Sequence, residues 1–221
     1  MKSYITNMNI TLRLEQPSDY SETEYVTREA FWNHYSPGCY EHYLLHIMRN
    51  CPSFVPELDI VAECDGKIVG NAVCLKAVIK ADNGNDYEVL SLGPISVLPE
   101  YQRKGIGGKL IEQTKDIARK MGFRAILLCG DPDYYLRQGF IPAETLGIRT
   151  ADNMYMTALH VCELYDNALA DAKGRYFEDT IYEIDETAAA AFDKNFPHKE
   201  LVTGTPMQRR FEELSAMIRK A

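Results

Sequence analysis

Residues Pro99 to Leu110, PEYQRKGIGGKL, set the basic step Gln102-Arg103-Lys104 against Gly105, Gly107 and Gly108 and then enter a segment of helical periodicity. Ile106, Leu110, Thr114, Ile117, Ala118 and Met121 recur on one face, and Gly122 stands where a C-terminal cap belongs, so the spacing predicts a helix from about Gly105 to Met121. A helix start carries unpaired N–H groups and a partial positive charge, which together attract phosphate. Glycines remove the side chains that would hold a phosphate away and permit backbone angles that other residues resist.

Two phosphate-binding patterns fail here. A P-loop requires Ser or Thr after the Gly-Lys pair, but Gly108-Lys109 is followed by Leu110, and Arg103 occupies the position of the first glycine. A dinucleotide fingerprint would need glycine at Leu110 and a place after the first strand of the fold.

Working outward, the chain before the glycines reads as hairpins: LDIVAEC, the Asp65-Gly66 turn, KIVGNAVCLKAVI, the Asn83-Gly84 turn, and YEVLSLGPISV. Earlier still, Asn9 to Glu15 alternates like a half-buried strand. Ser21-Glu22-Thr23-Glu24 has capping-box spacing ahead of one helix, and a second runs from about Tyr40 to Asn50 until Pro52 and Pro56 end it. After the glycine helix, FRAILLC (Phe123 to Cys129) reads as a strand buried on both faces. In GDPDYYLRQGF, Pro132 opens a short helix and Gly139 closes it. The fold class is α/β in the α+β sense: a mixed, mostly antiparallel sheet with helices on both faces, over residues 1–165.

Beyond Tyr165 periodicity weakens and charge rises, so residues 166–221 are read as a C-terminal extension. Thr205-Pro206 has the form of an N-cap followed by a first-turn proline, and Met207, Phe211, Leu214 and Ile218 form an apolar stripe. That stripe packs either on the main domain or on a second copy, which would make a homodimer.

The motif Gln102-x-x-Gly105-x-Gly107, preceded by Ser96-Val97-Leu98-Pro99-Glu100 and followed by Tyr135-x-x-x-Gly139-Phe140, resembles the GNAT superfamily of acetyl-CoA-dependent N-acetyltransferases. The element order over residues 9 to 160 is similar to that fold as well. The resemblance implies acetyl-CoA as the acetyl donor. Its pyrophosphate would rest on the backbone of Gln102, Arg103, Lys104, Gly105, Ile106, Gly107 and Gly108. The strand bearing Ile95, Ser96 and Val97 would bulge near Gly93-Pro94 and offer main-chain hydrogen bonds to the pantetheine arm. Tyr135 would protonate the leaving thiolate, with Tyr134 a cofactor contact or a core residue. Where some members carry a glutamate on the strand before the loop, this chain has Ser91, which leaves Glu88, a water-mediated base, or an amine that arrives neutral.

The implied reaction is acetyl transfer to a primary amine of a small-molecule acceptor. The alternatives are a protein lysine or N-terminus, or a non-catalytic coenzyme A-binding regulatory module. The acceptor wall is expected around Trp32, Tyr35, Tyr40 and Tyr43, some of them core residues. Cys129, beside the expected thioester, is a secondary candidate as an acyl-carrying nucleophile.

Composition narrows the partners. The balance of 24 Lys+Arg against 32 Asp+Glu, net charge -8, argues against a nucleic-acid grip across the surface. Residues 103–124 nevertheless hold seven cations against Glu112 and Asp116. The six cysteines form no CxxC pair, and His42-x-x-x-His46 lacks an evident third ligand, so no metal is expected. The start MKSYITNMNITLRLEQ has no apolar leader block, and no membrane span is found. A cytoplasmic protein is the expectation.

Overall fold

The computed structural model describes residues 8–221, so the first seven residues of the stretch read above for a leader lie outside the described residues. In chain order the elements are β1 (Ile10–Leu14), α1 (Tyr20–Phe31), α2 (Glu41–Met48), β2 (Ile60–Cys64), β3 (Lys67–Ala81) and β4 (Asp86–Val97). Then follow α3 (Ile106–Lys120), β5 (Ala125–Cys129), α4 (Pro132–Tyr135), β6 (Ile141–Pro142), β7 (Ile148–Arg149), β8 (Met154–Met156) and β9 (Leu159–Glu163). The last four are β10 (Gly174–Phe177), α5 (Glu186–Asp193), α6 (Pro206–Ala216) and β11 (Ile218–Lys220).

Asp65 and Gly66 both take positive φ, 50° and 80°, the geometry that turns β2 tightly into β3. The main sheet runs β1-β2-β3-β4-β5-β9-β6, antiparallel except where β4 meets β5 and where β7 meets β10. β3 is long enough to share one edge, pairing β2 through its first half and β10 through Val78–Ala81. The segment after Tyr165 therefore adds a strand to the same sheet.

Adjacent strand residues face opposite sides. On β3 a Cβ at Gly70 would lie 3.4 Å from Leu110 of α3, whereas Asn71 accepts a hydrogen bond from Thr27 of α1 at 3.1 Å. The helices thus cover both faces, and β3 is almost continuously buried.

Two local readings need correction. Ser21 and Glu24 form no capping box. The box sits one turn earlier, between Gln16 and Asp19, and the Glu24 carboxylate is drawn instead to Arg49 at 2.7 Å and His46 at 2.9 Å. Ile218 does not continue the stripe of α6: the helix ends at Ala216, and Ile218 pairs with Met156 in a small second sheet.

The tail lies along its own chain. Arg28, 1% exposed, donates to Asp193 at 2.6 Å and stacks on Trp32, whose indole N–H donates to the Glu200 carbonyl at 2.9 Å. Gln208 of α6 donates to the carbonyls of Asn33 and Val202, and Arg210 pairs with Asp131 and Asp133. Among the described residues no helix is long and apolar enough to cross a membrane.

Under β1 the buried Asp59 carboxyl faces Glu15, which Arg49 holds through two hydrogen bonds. Burial and the neighbouring carboxylate push Asp59 well above its ordinary value, so it stays protonated in the folded chain. Because the folded state binds the extra proton, its stabilising contribution fades as pH rises from the ordinary aspartate value through the raised one. Asp59→Asn, which keeps the shape and a donor, should raise the melting temperature more at pH 8 than at pH 5, as read by thermal denaturation across that range.

Candidate active site

β4 and β5 are hydrogen-bonded only at Leu90–Ile126 and Ser91–Leu127. Past that rung they part. Between Leu92 and Ile95 the register against β3 shifts, since two residues, Gly93 and Pro94, oppose the single Val73. Pro94 has no N–H to give to a ladder, and a Cβ on Gly93 would lie 3.1 Å from Val73 and 3.2 Å from Met48, so this pair suits a bulge under close packing. The bulge stands where the glycine-proline pair places it, and the gap between the strands opens into a cleft of about 930 Å³.

α3 starts on one side of this cleft. Gly105, its N-cap, has φ of 83° and no side chain caps the first turn, so the leading N–H groups are left to the cleft. Gln102 ties the loop to β4 by donating its side-chain amide to the Val97 carbonyl at 3.0 Å. The Tyr134 hydroxyl reaches over the first turn, only 2.6 Å from where a Cβ on Gly107 would stand. Ile95, Val97, Gln102, Arg103, Gly105, Ile106, Gly107, Gly108, Tyr134 and Tyr135 all line the cleft.

Three expected residues do not. Ser96 is 1% exposed and turns its hydroxyl to Thr27 and Asn71 beneath α1, because its neighbours on the strand take the cleft face. The Lys104 ammonium lies over the Tyr101 ring at 5.2 Å. Glu88 stands near the opposite end of β4, exposed, 3.4 Å from Lys76, beside a separate depression of about 440 Å³. This placement withdraws it as a base for chemistry in the cleft.

Tyr135 is pinned by its surroundings. A Cβ on Gly130 would come within 2.1 Å of its ring, and Phe140 packs against it edge-on at 5.8 Å. Burial pushes its phenol far above the ordinary tyrosine value, so the group carries its proton throughout the neutral range. Cys129 also opens on the cleft, but the protein crowding its other sides raises its thiol to about 12.

The cleft wall also takes Phe31, His34, Tyr35, Glu41 and Leu44 from the α1–α2 region, with Met207, Arg210 and Phe211 from α6. Tyr35 and Phe211 pack with ring centroids 4.9 Å apart. Of the other early aromatics, Trp32 stacks on Arg28, Tyr43 packs on Phe192 and Tyr40 is exposed. His42 and His46 are occupied by Asp193 and Glu24, and among the described residues no group of metal-ligating side chains is found.

Sequence reasoning missed two carboxylates on the cleft, Glu41 and Glu178. Glu41 sits at the start of α2, accepts the Tyr40 N–H at 3.0 Å, and is raised by burial. Glu178 follows β10 and accepts the Ser91 hydroxyl at 3.1 Å. No local signal marks either one, since each reaches the cleft through tertiary packing.

Comparison with known proteins shows the family and the fold. The model of the Acetyltransferase (GNAT) family matches residues 18–140. The chain is 31% identical over 138 residues to the uncharacterized N-acetyltransferase YjhQ of Escherichia coli strain K12, covering 62% of this chain and 73% of that protein. Among solved structures, the GNAT family N-acetyltransferase YhbS from Escherichia coli, in complex with CoA, matches with a TM-score of 0.71 at 23% identity, over 80% of this chain and 94% of that one. A GNAT family acetyltransferase from Brucella melitensis, in complex with acetyl-CoA, matches with a TM-score of 0.63 at 27% identity, over 79% and 98%.

A thiol raised to about 12 is almost wholly protonated at neutral pH and makes a poor nucleophile. Iodoacetamide should therefore alkylate Cys129 much more slowly at pH 7.5 than an unstructured cysteine peptide, with the rate still climbing above pH 9. Peptide mapping by mass spectrometry reads this, and rapid labelling at pH 7.5 would revive an acyl-cysteine route.

Proposed function

The chain belongs to the GNAT acetyltransferase family, and on that footing we propose that it transfers the acetyl group of acetyl-CoA to the primary amine of a small molecule. The observation that carries this reading is the cleft itself. It brings an uncapped helix start, the parted strands and Tyr135 together with an aromatic and acidic wall.

The pyrophosphate of coenzyme A suits the N–H groups at the start of α3, with Arg103 on the rim. The pantetheine arm suits the gap past Ser91–Leu127, where the edge of β4 beyond the rung is free of β5. Attack by a neutral amine on the thioester carbonyl forms the C–N bond and moves an electron pair onto oxygen. Collapse breaks the C–S bond, and the Tyr135 O–H, protonated and held by Gly130 and Phe140, faces the cleft to donate to the departing sulfur. A small acceptor is favoured over a protein lysine because α6, held by Arg210 to Asp131 and Asp133, adds Met207, Arg210 and Phe211 to the cleft wall. The desolvated Glu41 suits an acceptor that arrives as a cation.

Gly107→Val would drive a side chain into the Tyr134 hydroxyl and across the first turn of α3. Calorimetric titration should show acetyl-CoA affinity reduced by at least about tenfold, roughly 1.4 kcal/mol, with the fold retained by circular dichroism. Unchanged affinity would mean that the anion seat lies elsewhere.

Tyr135→Phe keeps the ring and removes only the donor. With a turned-over amine identified from a panel by release of free CoA, kcat should fall by about 10² to 10⁴ while acetyl-CoA affinity stays within about twofold. Full turnover in this variant would exclude Tyr135 as the acid.

A further inference from the structure

Ser91 occupies the last rung at which β4 and β5 are joined, the vertex of the cleft. Its hydroxyl is not idle: it donates to Glu178 Oε1 at 3.1 Å and shares a 3.0 Å hydrogen bond with the Tyr182 hydroxyl. Tyr176 also donates to Glu178 Oε1, at 3.3 Å. Both bonds reach the same carboxylate oxygen. Among the described residues Oε2 accepts no hydrogen bond and Glu178 has no ion pair, while Glu178 lines the cleft.

The position is built by the fold. β10 pairs with the second half of β3, with Phe177 opposite Val78, and the chain leaves the sheet at Glu178. The next residue, Asp179, accepts the Ser53 hydroxyl and the Ile181 N–H, which anchors the turn carrying Tyr182. The glutamate thus reaches the vertex from the side of β3 and β4, while Tyr135 comes from beyond β5.

We propose that Glu178 is the general base of the transfer, delivered to the vertex by the C-terminal segment where strand residue Ser91 offers only a hydroxyl. The assignment rests on the acetyl-transfer reading above. Glu178 lies outside the residues matched by the family model, 18–140. In the step, Glu178 Oε2 takes a proton from the acceptor ammonium, directly or through one water, and the freed nitrogen lone pair attacks the thioester carbon. When the C–S bond breaks, Tyr135 gives its proton to sulfur. The second proton shed by nitrogen restores the phenol, and the proton on Glu178 returns to solvent. Protons and electrons balance with no further reactant.

The groups facing Glu178 are Tyr176, Tyr182 and Ser91 together with Cys129 of β5. Burial raises both phenols and the thiol, so all remain uncharged at neutral pH and none neutralises the carboxylate. Burial also raises Glu178 itself, against the lowering effect of its hydrogen bonds with Ser91 and Tyr176, which makes it a stronger base than a solvated glutamate.

The test uses two probes of matched shape: 2-phenylethylamine, an ammonium at pH 7, and O-benzylhydroxylamine, neutral there. Glu178→Gln should lower kcat/KM for 2-phenylethylamine by about 10² or more at pH 7, with the loss shrinking as pH rises, and should cost O-benzylhydroxylamine less than about tenfold. Acetyl-CoA affinity and melting temperature monitor the fold of the variant. Equal losses on the two probes, or a rise in KM with kcat untouched, would overturn the assignment and leave Glu178 a structural or binding group. A wild type that acetylates no primary amine at all overturns the acetyl-transfer reading and this assignment with it. Independently of any acceptor, ¹³C NMR of the wild type should show the carboxyl resonance that Glu178→Gln removes titrating above the ordinary glutamate value of about 4.3. Titration at or below that value also overturns the assignment.

Discussion

The site depends on the point where two neighbouring strands stop pairing. β4 and β5 are joined through Leu90–Ile126 and Ser91–Leu127 and then diverge. Backbone groups left without a partner strand must be satisfied by water or by a ligand that pairs like a strand, and a cleft between two such edges is a ready seat for an extended, amide-bearing molecule. The bulge at Gly93-Pro94 supports the divergence: proline withholds one donor, and the missing glycine side chain lets Met48 and Val73 pack tightly beneath. α3 then begins beside the gap, so its uncapped first turn and the strand edge border the same cleft.

Desolvation acts in the same direction, against the charged form, on every titratable group of this gap that it shifts. It keeps Tyr135 protonated, which suits a donor to a leaving thiolate, and it silences Cys129 by the same physics. It also raises Glu41 and Glu178. A raised carboxyl in a cleft without a neighbouring cation is a weaker acid and a better proton acceptor, so a single environment leaves a protonated phenol and raised carboxyls on the same cleft. Selectivity among these groups comes from their chemistry and placement rather than from opposite local fields.

The segment beyond the family core is wired into the domain by buried and partly buried contacts. Arg28, 1% exposed, would be a costly unpaired charge without Asp193, so the tail and α1 depend on each other. β10 completes an edge that β2 leaves open on β3, and α6 reaches across to Asp131 and Asp133 at the start of α4. The wall of the cleft is consequently a joint product of the early helices and the tail.

What could be read from the sequence was short-range. Asp65-Gly66 announces its hairpin because both positions take positive φ, and α3 is bracketed by Gly105 and Gly122, with φ of 83° and 85°. Thr205-Pro206 marks α6 because a hydroxyl cap and a proline suit the first turn, and there a capping box does form with Gln208. The same reasoning failed at Ser21 and Glu24, where Arg49 and His46 compete for the glutamate from another helix. The two-residue strands β6 and β7 carry no periodicity long enough to detect, and they exist because longer neighbours hold them. The glycine loop and Tyr135 were legible since their spacing along the chain is itself the motif. Ser91 was legible as a place where a carboxylate was lacking, yet Glu178, 87 residues further on, was not. The sequence by itself determined the elements, their turns and the glycine-flanked helix start, all set by neighbours a few positions away. Only the tertiary structure decided which carboxylate meets the vertex of the cleft and which tail residues join its wall, because those contacts follow from sheet register and tail packing, which no local pattern encodes.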